Sequence, residues 1–93
     1  MKASFSMTFK KKRFKLSAEM GRHVFVAGTF NNWNPTATPL HYDSRSGNYK
    51  ADVQLLPGLH EYKFIIDGIW RVDPACSESV PNEFGGRNSV LHA

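Results

Sequence analysis

Short runs of alternating hydrophobic and polar residues, broken by turn formers, fill most of this chain, and no stretch of useful length repeats at the helical period. Residues 49–55 alternate cleanly, with Tyr49, Ala51, Val53 and Leu55 facing one way and Lys50, Asp52 and Gln54 the other. Residues 59–66 do the same: Tyr62, Phe64 and Ile66 share one face, and Glu61, Lys63 and Ile65 share the opposite one. Residues 23–28 read as a buried strand with Val24 and Val26 on one face. Shorter strands are expected at 40–42, 69–72 and 89–91, with turns at 43–48 and 56–58. Phe5, Met7 and Phe9 alternate over residues 4–9, but Phe14 and Leu16 continue out of phase, which predicts a bulge or break near residues 11–13. Residues 30–35, rich in Asn and Pro, predict a loop, and residues 75–87 predict a long one. The fold class is therefore all-β, a sandwich of about seven or eight antiparallel strands.

Asp67-Gly68 is a strong two-residue hairpin signal, because a type I′ turn needs positive φ at both positions. If these residues form the turn, Ile66 faces Ile69, Ile65 faces Trp70 and Lys63 faces Val72. Opposed residues point to the same side of a sheet, so Lys63, Ile65 and Trp70 share a face. The more aromatic set, Tyr62, Phe64 and Ile66, takes the core. A large ring and a cation are thus predicted side by side on the wet face.

Composition narrows the function classes. The 93 residues suit one domain, and 41% hydrophobic content fits a folded chain. Cys76 is the sole cysteine, which excludes an internal disulfide and suits a reducing, cytoplasmic setting. No run is apolar enough for a secretory leader or a membrane span, so no membrane partner is expected. His23, His41, His60 and His92 are scattered, and no cofactor or metal is expected. The net charge of +4 is uneven. Lys2, Lys10, Lys11, Lys12, Arg13 and Lys15 precede residue 16, whereas all eight acids follow it against six bases. The body is therefore acidic, and residues 1–13 read as a separate basic segment or extra strand ahead of a module at 14–93. Charges on such a strand protect an open edge. Binding to nucleic acid is not expected, because the tryptophans lie on the acidic body.

Tryptophan, lysine and asparagine together suit sugars. The axial C–H groups of a pyranose can lie on an indole plate, and its hydroxyls need hydrogen-bond partners. Alone, Trp33 reads equally as a loop anchor, Trp70 as a half-buried strand residue and Lys63 as a solvated charge. Their combination carries the reading. A catalytic reading is weak: glycoside hydrolysis needs two carboxylates across the scissile bond, whereas Asp67 and Asp73 sit at turn and strand-end positions. Nothing in the sequence orients Cys76 toward His60 or His92 as a nucleophile pair.

The run from Val24 to Trp33, the run from Pro57 to Trp70, and Asp73-Pro74 occur in order, and together they resemble a family 48 carbohydrate-binding module. This is the glycogen-binding module of AMP-activated protein kinase β subunits, also found ahead of branching and debranching enzymes. The resemblance covers residues 14–93 and implies an immunoglobulin-like β-sandwich that binds α-glucans such as glycogen, starch and maltooligosaccharides without catalysis. By that resemblance Trp33 and Trp70 stack on successive glucoses, Lys63 and Asn88 bind hydroxyls, and Phe84 is the loop hydrophobe against the curved glucan. Gly86 stands where kinase modules carry a hydroxyl residue, and Arg87 is unusual in that loop. The alternative function is a protein-interaction module, in which the tryptophans anchor a glycogen-metabolism enzyme or kinase instead of sugar.

Overall fold

In the computed structural model, which describes residues 8–93, the alternating segments become eight strands and one short 3-10 turn. The strands are β1 (Lys10–Ser17), β2 (Val24–Gly28), β3 (Pro39–Asp43), β4 (Asn48–Leu55), β5 (Leu59–Ile66), β6 (Ile69–Arg71), β7 (Ser79–Pro81) and β8 (Arg87–His92); the 3-10 turn, Thr29–Asn31, follows β2 directly. All pairings are antiparallel, in the order β1-β4-β3-β2-β5-β8-β7, with β6 added on β5. β3 makes the corner between two layers. Its residues His41, Tyr42 and Asp43 pair with β4, while Leu40 and Pro39 pair with Val24 and Phe25 of β2. The outcome is an all-β, sandwich-like fold built from a curled antiparallel sheet.

The inward positions of the two layers meet in one core. Phe14, Leu16, Leu40, Tyr49 and Leu55 come from one side, and Val24, Val26, Tyr62 and Phe64 from the other. Phe14 ties the layers together: its ring meets Tyr62 edge-on at 4.9 Å and stacks on Phe30 at 5.4 Å. Burying a side chain such as Phe64 stabilises the fold by about 1.5–3 kcal/mol. The buried hydroxyls are paired. Tyr49 donates to the carbonyl of Glu19 at 2.6 Å and accepts from the amide of Arg22 at 2.8 Å, closing the β1–β2 connection. Tyr62 donates to Asp73 Oδ2 at 2.6 Å, and burial, then this bond, push its phenol well above the ordinary tyrosine value.

Two expectations change. The bulge near residues 11–13 is not there: β1 pairs with β4 one-to-one from Lys10 opposite Leu55 to Ser17 opposite Asn48. Phe9 lies before β1 and is 55% exposed, so its phase places no demand on the strand. The strand expected over residues 4–9 lies largely outside the described residues. The long loop at 75–87 is also not structureless, because Ser79–Pro81 pairs with β8 as a short edge strand. A three-residue strand ending in proline gives almost no alternation to read, and proline is tolerated at such an edge.

Candidate functional site

β5 carries the centre of the site. One of its edges is taken by β2; the other is shared by β8 along residues 59–62 and by β6 along residues 64–66. The β5–β6 hairpin has the predicted register, Ile65 opposite Trp70, and the turn residues Asp67 and Gly68 have φ of 49° and 84°, both positive as the type I′ turn requires. Asp67 does more than turn the chain. Its carboxylate accepts from the His23 amide at 2.9 Å and from Arg22 Nη1 at 2.9 Å, which pins the hairpin to the entrance of β2. The His23 N–H first, and the Arg22 guanidinium second, hold this carboxyl below the usual range.

On β6, beside β5, Trp70 is 42% exposed, so its ring is available to a ligand. Ile65, expected on the wet face, is only 3% exposed. It stands in register between Phe25 of β2 and Trp70 of β6, and these flanking rings explain its burial. Lys63, two residues earlier on the same face, reaches toward the loop after β7: a Cβ added at Gly86 would lie 3.6 Å from the Lys63 Nζ.

Trp33 is placed by Asn31, two residues before it in sequence. Asn31 Oδ1 accepts from the Gly28 amide at 3.0 Å, and Asn31 Nδ2 donates to the Val26 carbonyl and to Thr38 Oγ1, each at 3.0 Å. The Trp33 amide then donates to the Gly28 carbonyl at 3.0 Å. Asn32 and Trp33 sit in left-handed backbone conformation with φ of 56° and 57°. Such a conformation costs a non-glycine residue about 1–3 kcal/mol, which the Asn31 bonds and the core beneath must offset. Gly28 has a different reason to be glycine. A Cβ there would come within 2.5 Å of both the Glu61 carbonyl oxygen and the Phe30 ring.

The third part of the site is the hairpin between β7 and β8. Asn82 closes it: its amide donates to the Gly86 carbonyl at 2.9 Å, and its Oδ1 accepts from the amides of Phe84 at 2.9 Å and Gly86 at 3.0 Å. Phe84 is left at the tip, 87% exposed. Asn88, on β8, is 7% exposed. Its Nδ2 donates to Glu61 Oε1 at 3.0 Å and its Oδ1 accepts from Asn82 Nδ2 at 3.1 Å.

Trp33, Lys63, Trp70, Phe84 and Asn88 all line one open cleft of about 830 Å³. Residues from three separate stretches of the sequence, the loop after β2 and the β5–β6 and β7–β8 hairpins, therefore converge on one surface. Sequence reading missed Asn82 and Glu61 in this cleft, although Glu61 had been placed on the Lys63 face and Asn82 is a residue type that commonly closes turns. The arrangement offers two broad apolar plates, an apolar tip, an ammonium with free donors, and amide and carboxylate groups. That is the equipment for a ligand with apolar faces and a hydroxylated rim. The Asp73 carboxylate, by contrast, is occupied structurally by the Tyr62 hydroxyl and the Ala75 amide, and its backbone amide donates to Ser89 Oγ. Among the described residues, no group of three His, Cys, Asp or Glu side chains could hold a metal ion.

Residues 11–93 match the family described as the glycogen recognition site of AMP-activated protein kinase. Among individual proteins, the chain is 37% identical over 75 residues to the 5'-AMP-activated protein kinase subunit beta-2 of Mus musculus and to that of Homo sapiens, covering 81% of this chain and 26% of each subunit. It is 34% identical over 71 residues to the subunit beta-1 of Rattus norvegicus, covering 76% of this chain and 24% of that protein. The chain thus spans about a quarter of the length of these relatives.

Proposed function

The chain belongs to the glycogen-recognition family of AMP-activated protein kinase, and from this we propose that it is a non-catalytic α-glucan-binding module that grips sugar in the cleft lined by Trp33, Lys63, Trp70, Phe84 and Asn88. The observation that carries the reading is the convergence of these five residues on one open surface, with the rings of Trp70 and Phe84 left bare. Contiguous exposed aromatic surface on a small domain marks a binding site. Trp33 and Trp70 supply faces for successive glucoses, Phe84 closes on the outside of the curved chain, and Lys63 donates to hydroxyls. Asn88 has one amide hydrogen and one lone pair left after its two internal bonds.

The relatives are subunits of a kinase by name, and this supports a use in which the module holds a partner enzyme on glycogen. A free thiol at Cys76 suits a cytoplasmic location for that role. Two stacked rings and a few hydrogen bonds exposed to water give modest affinity, a Kd of about 10 μM to 1 mM. The test is a tryptophan-fluorescence titration with β-cyclodextrin, with a cello-oligosaccharide as control. Saturable change with the cyclic α-glucan alone is expected. A folded sample whose fluorescence responds to neither ligand rejects the sugar reading and leaves the protein-docking alternative.

A further inference from the structure

Asn88 can be oriented in two ways that differ only by exchange of its amide oxygen and nitrogen. Here its orientation is dictated from both ends by groups whose polarity leaves no choice. At one end Glu61 offers a carboxylate oxygen at 3.0 Å, which accepts and, when ionised, cannot donate, so the nitrogen of Asn88 must face it. At the other end the amides of Phe84 and Gly86 only donate, so Asn82 must turn its oxygen to them. Its nitrogen then faces Asn88, whose facing atom must be oxygen. The chain of bonds runs in one direction from the loop amides through Asn82 and Asn88 to Glu61.

From this the geometry points to Asn82 and Glu61 as positioning residues for the sugar site, an inference that rests on the glucan reading above. They set on which side Asn88 keeps its spare N–H and on which its spare lone pair. They also couple the Phe84 loop to β5, where Lys63 lies two residues from Glu61 on the same face. Breaking the chain at either end frees Asn88 to turn over and loosens the arm carrying Phe84. The loss should fall on binding, because the residues lie at one rim of the sandwich and outside the core cluster.

The polarity rule makes the test selective. Glu61→Gln keeps an acceptor oxygen for Asn88, whereas Glu61→Met has nearly the same shape and none. Asn82→Asp keeps the acceptor for the two loop amides but sets a second oxygen against Asn88 Oδ1. β-Cyclodextrin titrations of the whole chain, with thermal unfolding of each variant, should find Glu61→Gln within about twofold of the parent in Kd, and Glu61→Met and Asn82→Asp each weaker by about five- to tenfold. The double variant Glu61→Met/Asn82→Asp should lose little more than the worse single, as members of one network do. Glu61→Met binding as tightly as Glu61→Gln, or losses that simply add, would overturn the inference. If Asn82→Asp does not fold, the Glu61 pair still decides. If the parent chain itself does not bind, the glucan reading fails and this inference goes with it.

Discussion

Trp70 is the residue on which the proposed binding face turns. Its ring is more than a third exposed, and its strand is three residues long and peripheral to the core cluster. Trp70→Ala should therefore remove the proposed sugar-stacking surface without opening a cavity in the central cluster, while uncovering part of Ile65. The expected result is a Kd for β-cyclodextrin weakened about tenfold or more, the scale of a contact worth ~1.4 kcal/mol, with a far-ultraviolet spectrum and Tm close to the parent. Unfolding of the variant would show that the ring packs more than it presents. Lys63→Ala should weaken binding less, since an ammonium exchanging between water and a sugar hydroxyl gains little net free energy. Unchanged affinity in that variant would remove Lys63 from the contact. Trp33, Lys63 and Trp70 were legible in the sequence because each belongs to a run with its own signature: the Asn-Asn-Trp loop, the alternation of β5 and the Asp67-Gly68 turn; Phe84 and Asn88 have no such signature and were named only through the family resemblance. The roles of Asn31 and Asn82 were not legible. Their bonds are to amides a few residues away, Gly28 for Asn31 and Phe84 and Gly86 for Asn82, but asparagine closes turns of many shapes, and the residue type alone does not say which amides it takes.

At the scale of elements, β4 and β5 emerged from alternation with the same inward residues as expected, since a half-buried strand must alternate. β7 did not emerge, because three residues hold too little pattern, and Ile65 was misplaced, because an outward position can be buried by neighbouring rings that only cross-strand register reveals. The β2–β5 pair holds the tightest approach in the molecule's site. Gly28→Ala would drive a methyl into the Glu61 carbonyl and the Phe30 ring, and Tyr62 Cβ would be 3.0 Å away. The strands must part or the Thr29–Asn31 turn must shift. The expected cost is about 1–3 kcal/mol, seen as a lower midpoint in urea unfolding. A midpoint equal to the parent's would mean that the strands separate freely here. Because the same turn carries Trp33, glucan affinity should fall together with stability.

At the scale of the molecule, three aspartates, Asp43, Asp52 and Asp67, share a sense of shift. Asp43 is held below the ordinary carboxylate range first by Lys50, Asp52 first by Arg13, and Asp67 first by the His23 amide. A folded-state pKa below the unfolded one contributes stability that is present above the unfolded value and lost as pH falls through the folded one. The window therefore opens near the ordinary aspartate value of 3.8 and extends downward. Thermal unfolding should show a Tm that is nearly flat in this respect above pH 5 and falls progressively below about pH 4. A Tm as high at pH 3 as at pH 7 would mean that these pairs are too well solvated to matter.

The way β5 collects its neighbours also governs when the binding face comes into being. Val24 pairs with Ile66, and Leu59 with His92, so the strands flanking β5 arrive from distant parts of the chain. Of the pairings that β5 makes, the β5–β6 hairpin alone joins strands adjacent in sequence and can close early by local diffusion. Contacts that far apart in sequence put the domain among the slow folders of its size, with times in the range of roughly milliseconds to seconds. Trp33 follows β2, Trp70 lies on β6 and Asn88 on β8, and all three strands meet only across β5. On the proposed glucan reading the site is complete only in the folded domain, so sugar added during refolding should leave the folding rate unchanged while slowing unfolding.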